Sequence, residues 1–178
     1  MKAGLKTRVV QFAILSLSVG AISVAILGSA ANHGFTTSGT SDNSVLEEKN
    51  KELVLKAFDT LFNKRDYVAA EQYWSPKYIQ HSAHIEPGRE GLFNLVKSNP
   101  PTLKYEPGTI VADGDFVIVH GRFSDFGLPV NWIAADILRI KDGMMVEHWD
   151  VIQDEATKEQ SKSGLPMFGD SFFNPSEK

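Results

Sequence analysis

The sequence predicts an α+β fold, and three observations carry that prediction. Apolar residues recur at helical spacing between about residues 45 and 63, the helix signals stop after Pro100-Pro101, and the strands that follow are separated by turn signals at Asp113-Gly114 and Asp142-Gly143. Two or three helices followed by a four-stranded antiparallel meander make an α+β plan.

The first helix is expected where Val54, Phe58, Leu61 and Phe62 line one side and Glu47, Glu48, Lys49, Lys51 and Glu52 the other, ending near Asn63. Asp66 is placed to cap a second, shorter helix through Val68, Ala69, Ala70, Gln72 and Tyr73, with Trp74 closing that corner as a core residue. Tyr78-Ile79 reads as a short extended piece, and Pro87-Gly88 turns the chain into a helix holding Leu92, Phe93, Leu95 and Val96. Strands follow at 109–112, 116–123, 131–140 and after the Asp142-Gly143 turn.

Composition restricts the function. With 178 residues, 42% of them hydrophobic and 22% charged, there is room for one domain with one sizeable core. Lys2, Lys6 and Arg8 precede an apolar run from Val9 to Leu27 that ends in Gly28-Ser29-Ala30-Ala31, the pattern of a signal peptide over residues 1–30. The alternative is an uncleaved membrane anchor, which Gln11, Ser16, Ser18, Gly20 and Ser23 weaken. A flexible linker is expected at 31–44, the domain at 45–168 and a tail at 169–178. Once the first segment is removed, 15 basic residues face 22 acidic ones, a formal charge of −7 that argues against a nucleic-acid partner. The chain has no cysteine, which excludes disulfides, thiol catalysis and cysteine metal sites. It is expected outside the cytoplasm, with no membrane contact after cleavage.

The residues of chemical interest fall on the strands. Strand period places Val146, His148, Asp150 and Ile152 on one face, so an imidazole and a carboxylate share a setting partly withdrawn from water. A hydrogen-bonded structural pair has the same spacing. His120 shares a face with Phe116 and Ile118, and Asp136 with Trp132, Ala134, Leu138 and Ile140. Four titratable groups on neighbouring strands therefore suggest a lined cavity. His81 and His84, three apart in a loop, are placed to line its mouth and are a weak metal signal without a third ligand.

Tyr78-Ile79-Gln80-His81 with Pro87-Gly88-Arg89-Glu90-Gly91, the Gly114-Asp115 turn with Val117, Val119 and His120, Asp136-Ile137-Leu138-Arg139, and Asp142-Gly143 with Glu147-His148-Trp149-Asp150-Val151-Ile152-Gln153 form a set. Together with Gly164 and Met167-Phe168, this set resembles the SnoaL-like polyketide cyclase family, within the group that shares the nuclear transport factor two fold. The resemblance spans about Val45 to Phe168. It implies a cone-shaped α+β barrel in which a curved, mainly antiparallel sheet wraps against N-terminal helices around an apolar pocket. It also implies homodimers paired through the outer faces of the sheets. In such cyclases a pocket aspartate is the acid and base of an intramolecular aldol closure. Related folds isomerise, dehydrate, hydrolyse epoxides, or bind ligands without catalysis. Glu-His-Trp-Asp matches Asp150 to the pocket carboxylate, with His148 beside it, while His81, His120 and Asp136 match recurring polar positions. The export signal departs from the mostly cytoplasmic cyclases.

The resulting expectation is an exported acid–base enzyme without cofactor or metal, acting on a small hydrophobic carbonyl compound. Asp150 is the expected base, tuned by His148, with His120 or His81 donating to the enolate oxygen. His81, His84, Tyr78, Asp136 and Trp132 are expected to contact substrate. Two alternatives share these residues: a non-catalytic carrier of a small hydrophobic molecule in the cell envelope, and a divalent metal site built from His81, His84, His148 and Asp150.

Overall fold

The computed structural model of the chain describes residues 38–169. The expected signal peptide, residues 31–37 of the linker and 170–178 of the tail lie outside the described residues.

Helix α1 (Ser38–Phe58) starts within the stretch expected to be a linker and continues directly into a π-helical turn (Asp59–Asn63). Residues 42–46 are exposed, so this leading part buries nothing and is an extension of a helix nucleated by packing further on. From Asn50 onward the helix has a buried side, with Val54, Ala57, Phe58 and Leu61 at 3% exposure or less. Asn50 Nδ2 donates to Gly114 O at 3.0 Å and Glu47 Oε1 accepts from Gly114 N at 3.1 Å, which ties the helix to the turn at Gly114. Helix α2 (Tyr67–Ala70) is capped by Asp66, whose carboxylate accepts from Ala69 N at 3.0 Å. Helix α3 (Gly88–Ser98) ends against Arg65, whose guanidinium donates to the carbonyls of Val96, Asn99 and Pro100 at 2.9–3.2 Å. That cation satisfies carbonyls a helix end otherwise leaves without partners.

Five strands, not four, form the sheet: β1 (Trp74–Gln80), β2 (Lys104–Asp113), β3 (Phe116–Ser124), β4 (Trp132–Lys141) and β5 (Met144–Asp154). Their order is β1-β5-β4-β3-β2, with β1 parallel to β5 and every other pair antiparallel. The short extended piece around Tyr78 is thus a full edge strand. The curved sheet stays open, since β1 and β2 are its two edges. Asp142 and Gly143 both have positive φ (51° and 72°), as the two-residue hairpin turn requires. Trp74 is fully buried, stacked on Phe58 with ring centroids 6.3 Å apart and met edge-on by Phe93 at 5.7 Å.

Burial shows which sheet face meets the helices. On β3 Val117 and Val119 are fully buried, while Phe116 and Ile118 keep 42% and 41% exposure. On β4 Ala134, Asp136, Leu138 and Ile140 point inward. On β5 simple alternation fails at one place. Arg139 pairs with Glu147 but Ile140 pairs with Met145, so Val146 is an extra residue and Met145 joins the buried face of His148. Among the described residues no helix is long and apolar enough to cross a membrane.

Candidate active site

The inner face of β4 and β5 assembles the polar centre. Asp136 pairs directly with Asp150 across the two strands, and Leu138 with His148, so His148 is the diagonal neighbour of Asp136. At that spacing His148 Nε2 comes within 3.0 Å of Asp136 Oδ1, with side chains only 5% and 6% exposed. The parallel register of β1 on β5 sets Gln80 beside His148, and Gln80 Oε1 lies 2.8 Å from His148 Nδ1. Burial pushes the Asp136 carboxyl above its ordinary range; the bond to His148 opposes that rise and the nearby Asp150 charge adds to it.

This centre forms part of the wall of an apolar cavity between the helices and the sheet. Phe58 and Phe62 from the first helical run, Leu92 and Val96 from α3, and Phe126 and Trp132 from the β3–β4 region are among its apolar lining residues. Asp136, His148, Asp150 and Ile152 line it from β4 and β5, and Ser82, His84 and Asn99 add polar groups. The centres of water-sized molecules have about 70 Å³ available there. One water needs about 10–15 Å³ on that measure, so the space suits several waters or a small organic molecule.

The sequence placed Asp150, His148, Asp136, His84 and Trp132 at this cavity, and the structure brings all five to it. His84 and Trp132 lie together in its wall, with ring centroids 5.3 Å apart. Three expectations need correction. His120 is on the opposite face of β3 from Val117 and Val119; it pairs in register with Ala135 and its ring sits 5.8 Å from Phe168. Its face was misread because Phe116 and Ile118, though apolar, point outward. His81 also lies on the outer side, where its ring stacks on Trp149 at 4.8 Å and its Nε2 lies 2.9 Å from Glu147 Oε1. Glu147 is held in turn by Arg139, and these bonds, His81 first, lower its carboxyl below the usual range. Tyr78 is a core residue, 4% exposed, and is not among the residues that line the cavity; burial pushes its hydroxyl well up.

The metal set of His81, His84, His148 and Asp150 is therefore not assembled. Among the described residues one group, Asp136, His148 and Asp150, offers ligand atoms within 4.8 Å of one another. Both ring nitrogens of His148 are already engaged by Gln80 and Asp136, so an ion would have to break the pair. These contacts suit proton handling better than metal binding. Sequence reasoning gave Gln80 no role. Its only signal was a place in the Tyr78–His81 run, because the parallel pairing of β1 with β5 is not written in local alternation.

An α+β domain with helices over a curved five-stranded sheet and an acid-bearing apolar cavity between them has the nuclear transport factor two-like fold. The family model described as SnoaL-like domain matches residues 54–148, more than half of the chain, and the protein belongs to that family. Three solved structures share the fold. A candidate ketosteroid isomerase from Kribbella flavida is 19% identical over 60% of this chain and 79% of its own, with a TM-score of 0.53. A candidate polyketide cyclase from Acidithiobacillus ferrooxidans is 20% identical over 58% of this chain and 87% of its own, TM-score 0.51. An NTF-2 like protein of unknown function from Burkholderia xenovorans is 21% identical over 60% of this chain and 84% of its own, TM-score 0.51. No curated protein matches the chain.

Proposed function

We propose that this protein is an exported acid–base enzyme that takes a proton from the carbon beside the carbonyl of a small hydrophobic compound, with aldol-type cyclisation, isomerisation or elimination as the outcome. One observation carries the reading: Asp136, His148 and Asp150 converge in the wall of an otherwise apolar cavity. Two carboxylates in different settings can divide the work. Asp136 is buried and bonded to His148, while Asp150 is half-buried at the cavity and takes the proton. The electron pair of the broken C–H bond moves to the carbonyl oxygen. Ser82 and His84, in place of His120 and His81, are the cavity residues available to donate to that oxygen. The proton then returns from Asp150 to another carbon, or the enolate expels a leaving group from the β-carbon and Asp150 gives that group the proton, or the enolate carbon attacks a second carbonyl and Asp150 protonates the new alkoxide.

The test is hydrogen–deuterium exchange at the carbon beside the carbonyl, followed by NMR in D2O over a panel of small ketones and aldehydes. A positioned base contributes about a hundred- to ten-thousandfold, so Asp150→Asn should lose that much of the exchange. Exchange by Asp150→Asn equal to that of the parent would leave a ligand carrier as the reading.

Export rests on the Lys- and Arg-led apolar segment at 1–30. Pairing of two chains through their outer sheet faces is supported by Phe116, Ile118, Val111 and Val151, which are 41–68% exposed on that side. Sedimentation of the full chain measures it, and a monomer at micromolar concentration would count against it.

A further inference from the structure

The proton count of the buried pair follows from a third residue. Gln80 Oε1 accepts the backbone N–H of Ser82 at 2.9 Å. An amide N–H can only donate, so this end of the Gln80 amide must be its oxygen; a flipped side chain would set NH2 against N–H. The same oxygen lies 2.8 Å from His148 Nδ1, so Nδ1 must bring the hydrogen. The other nitrogen, Nε2, lies 3.0 Å from Asp136 Oδ1. A bare Nε2 facing an ionised carboxylate would put two lone pairs in contact at that distance. One proton must therefore lie between them, on either atom.

We propose that Gln80 is a positioning residue: held by Ser82, it locks His148 with hydrogen on Nδ1, so that Asp136 and His148 share one proton as a pair of zero net charge, leaving Asp150 as the cavity carboxyl group outside that pair. No Lys or Arg lines the cavity to alter that balance. The raised carboxyl of Asp136 agrees with a retained proton. The titratable groups around the pair are Asp150 on β5, Tyr78 on β1, Tyr105 on β2 and His84 in the loop after β1; burial keeps both tyrosine hydroxyls protonated. The role of the lock in catalysis rests on the acid–base reading: Asp150 takes a proton while the neutral pair keeps one ready to give. The lock itself does not depend on that reading.

The test needs no substrate. Two-bond 1H–15N correlation spectra of the full chain report which nitrogen of His148 is protonated, with the ring assigned by its loss in His148→Asn. The expected result is hydrogen on Nδ1 at neutral pH in the parent and in Gln80→Glu, whose carboxylate still accepts from both groups. In Gln80→Leu, hydrogen should move to Nε2 and leave Nδ1 bare. In the exchange assay Gln80→Leu should lower kcat at least about tenfold with KM little changed, since a wrong tautomer costs an acid–base site up to about ten-thousandfold. Gln80→Glu should restore most of it. A bare Nδ1 in the parent overturns the proposal even if Gln80→Leu does not fold, and so does an unchanged tautomer in Gln80→Leu. If the lock is seen but Asp150→Asn exchanges as the parent does, the lock stands and the enzyme reading falls.

Discussion

His148 and Asp136 lie on neighbouring antiparallel strands, diagonal in register, with Nε2 and Oδ1 3.0 Å apart and almost no exposure. A buried acid and a buried imidazole stabilise each other only while the proton between them stays. The ordinary carboxyl value is 3.8, and burial raises that of Asp136. Between the unfolded and folded values the native state holds more protons than the unfolded chain, so this residue's contribution to stability falls as pH rises. Asp136→Asn cannot ionise and can still donate to Nε2. It should be at least as stable as the parent at pH 7, and that advantage should shrink at pH 4. Urea unfolding at the two pH values measures this, and an advantage that does not change with pH would refute it.

Histidines on the outer face should be dispensable. His81→Ala and His120→Ala are expected to keep α-proton exchange within about threefold of the parent, against the hundredfold or greater loss for Asp150→Asn. His81→Ala should still be felt elsewhere. It removes the main partner that lowers Glu147, so the support this carboxylate lends the fold, which fades as pH falls through its lowered value, should fade at higher pH than in the parent. A large loss of exchange in either variant would mean that the outer face takes part in the reaction.

Charge should govern what enters the cavity. With the carboxyl groups of Asp136 and Asp150 in the wall and no Lys or Arg in the lining, a carboxylate ligand should bind at least about tenfold more weakly than its uncharged amide on the same apolar skeleton, a difference of about 1.4 kcal/mol. NMR titration with benzoate and benzamide measures the ratio. Tighter binding of benzoate would count against the assignment.

Close approach, not backbone freedom, explains Gly121. A Cβ there would lie 2.5 Å from the Tyr105 hydroxyl oxygen and from Cε2 of the same ring. Tyr105 is itself 2% exposed, so the ring has little room to retreat. Gly121→Ala should destabilise by about 1–3 kcal/mol, as overpacking does. Shortening the ring in Gly121→Ala/Tyr105→Leu should cost less than the two single changes added together. Additive single costs in thermal unfolding would show that the clash is not the cause.

Local signals were enough for several of the elements. Helical spacing from Val54 to Phe62, the Asp66 cap and the Asp142-Gly143 turn each depend on residues a few positions apart, and each appears where the sequence put it. The start of α1 was missed because exposed Ser, Asp and Asn read as linker when the packing that nucleates the helix lies further on.

By itself the sequence determined the fold class, the strand carrying His148 and Asp150, and the residues of its strand that share a face with Asp136, because alternation within one strand is a local property. Only the tertiary structure decided which face of each strand is inside, so it removed His120 and His81 from the site and left His148, Asp136 and Asp150 together. It also decided that Gln80 stands beside His148. The physical reason is that a parallel pairing between residues 68 positions apart is set by packing across the whole sheet, and no local period encodes it.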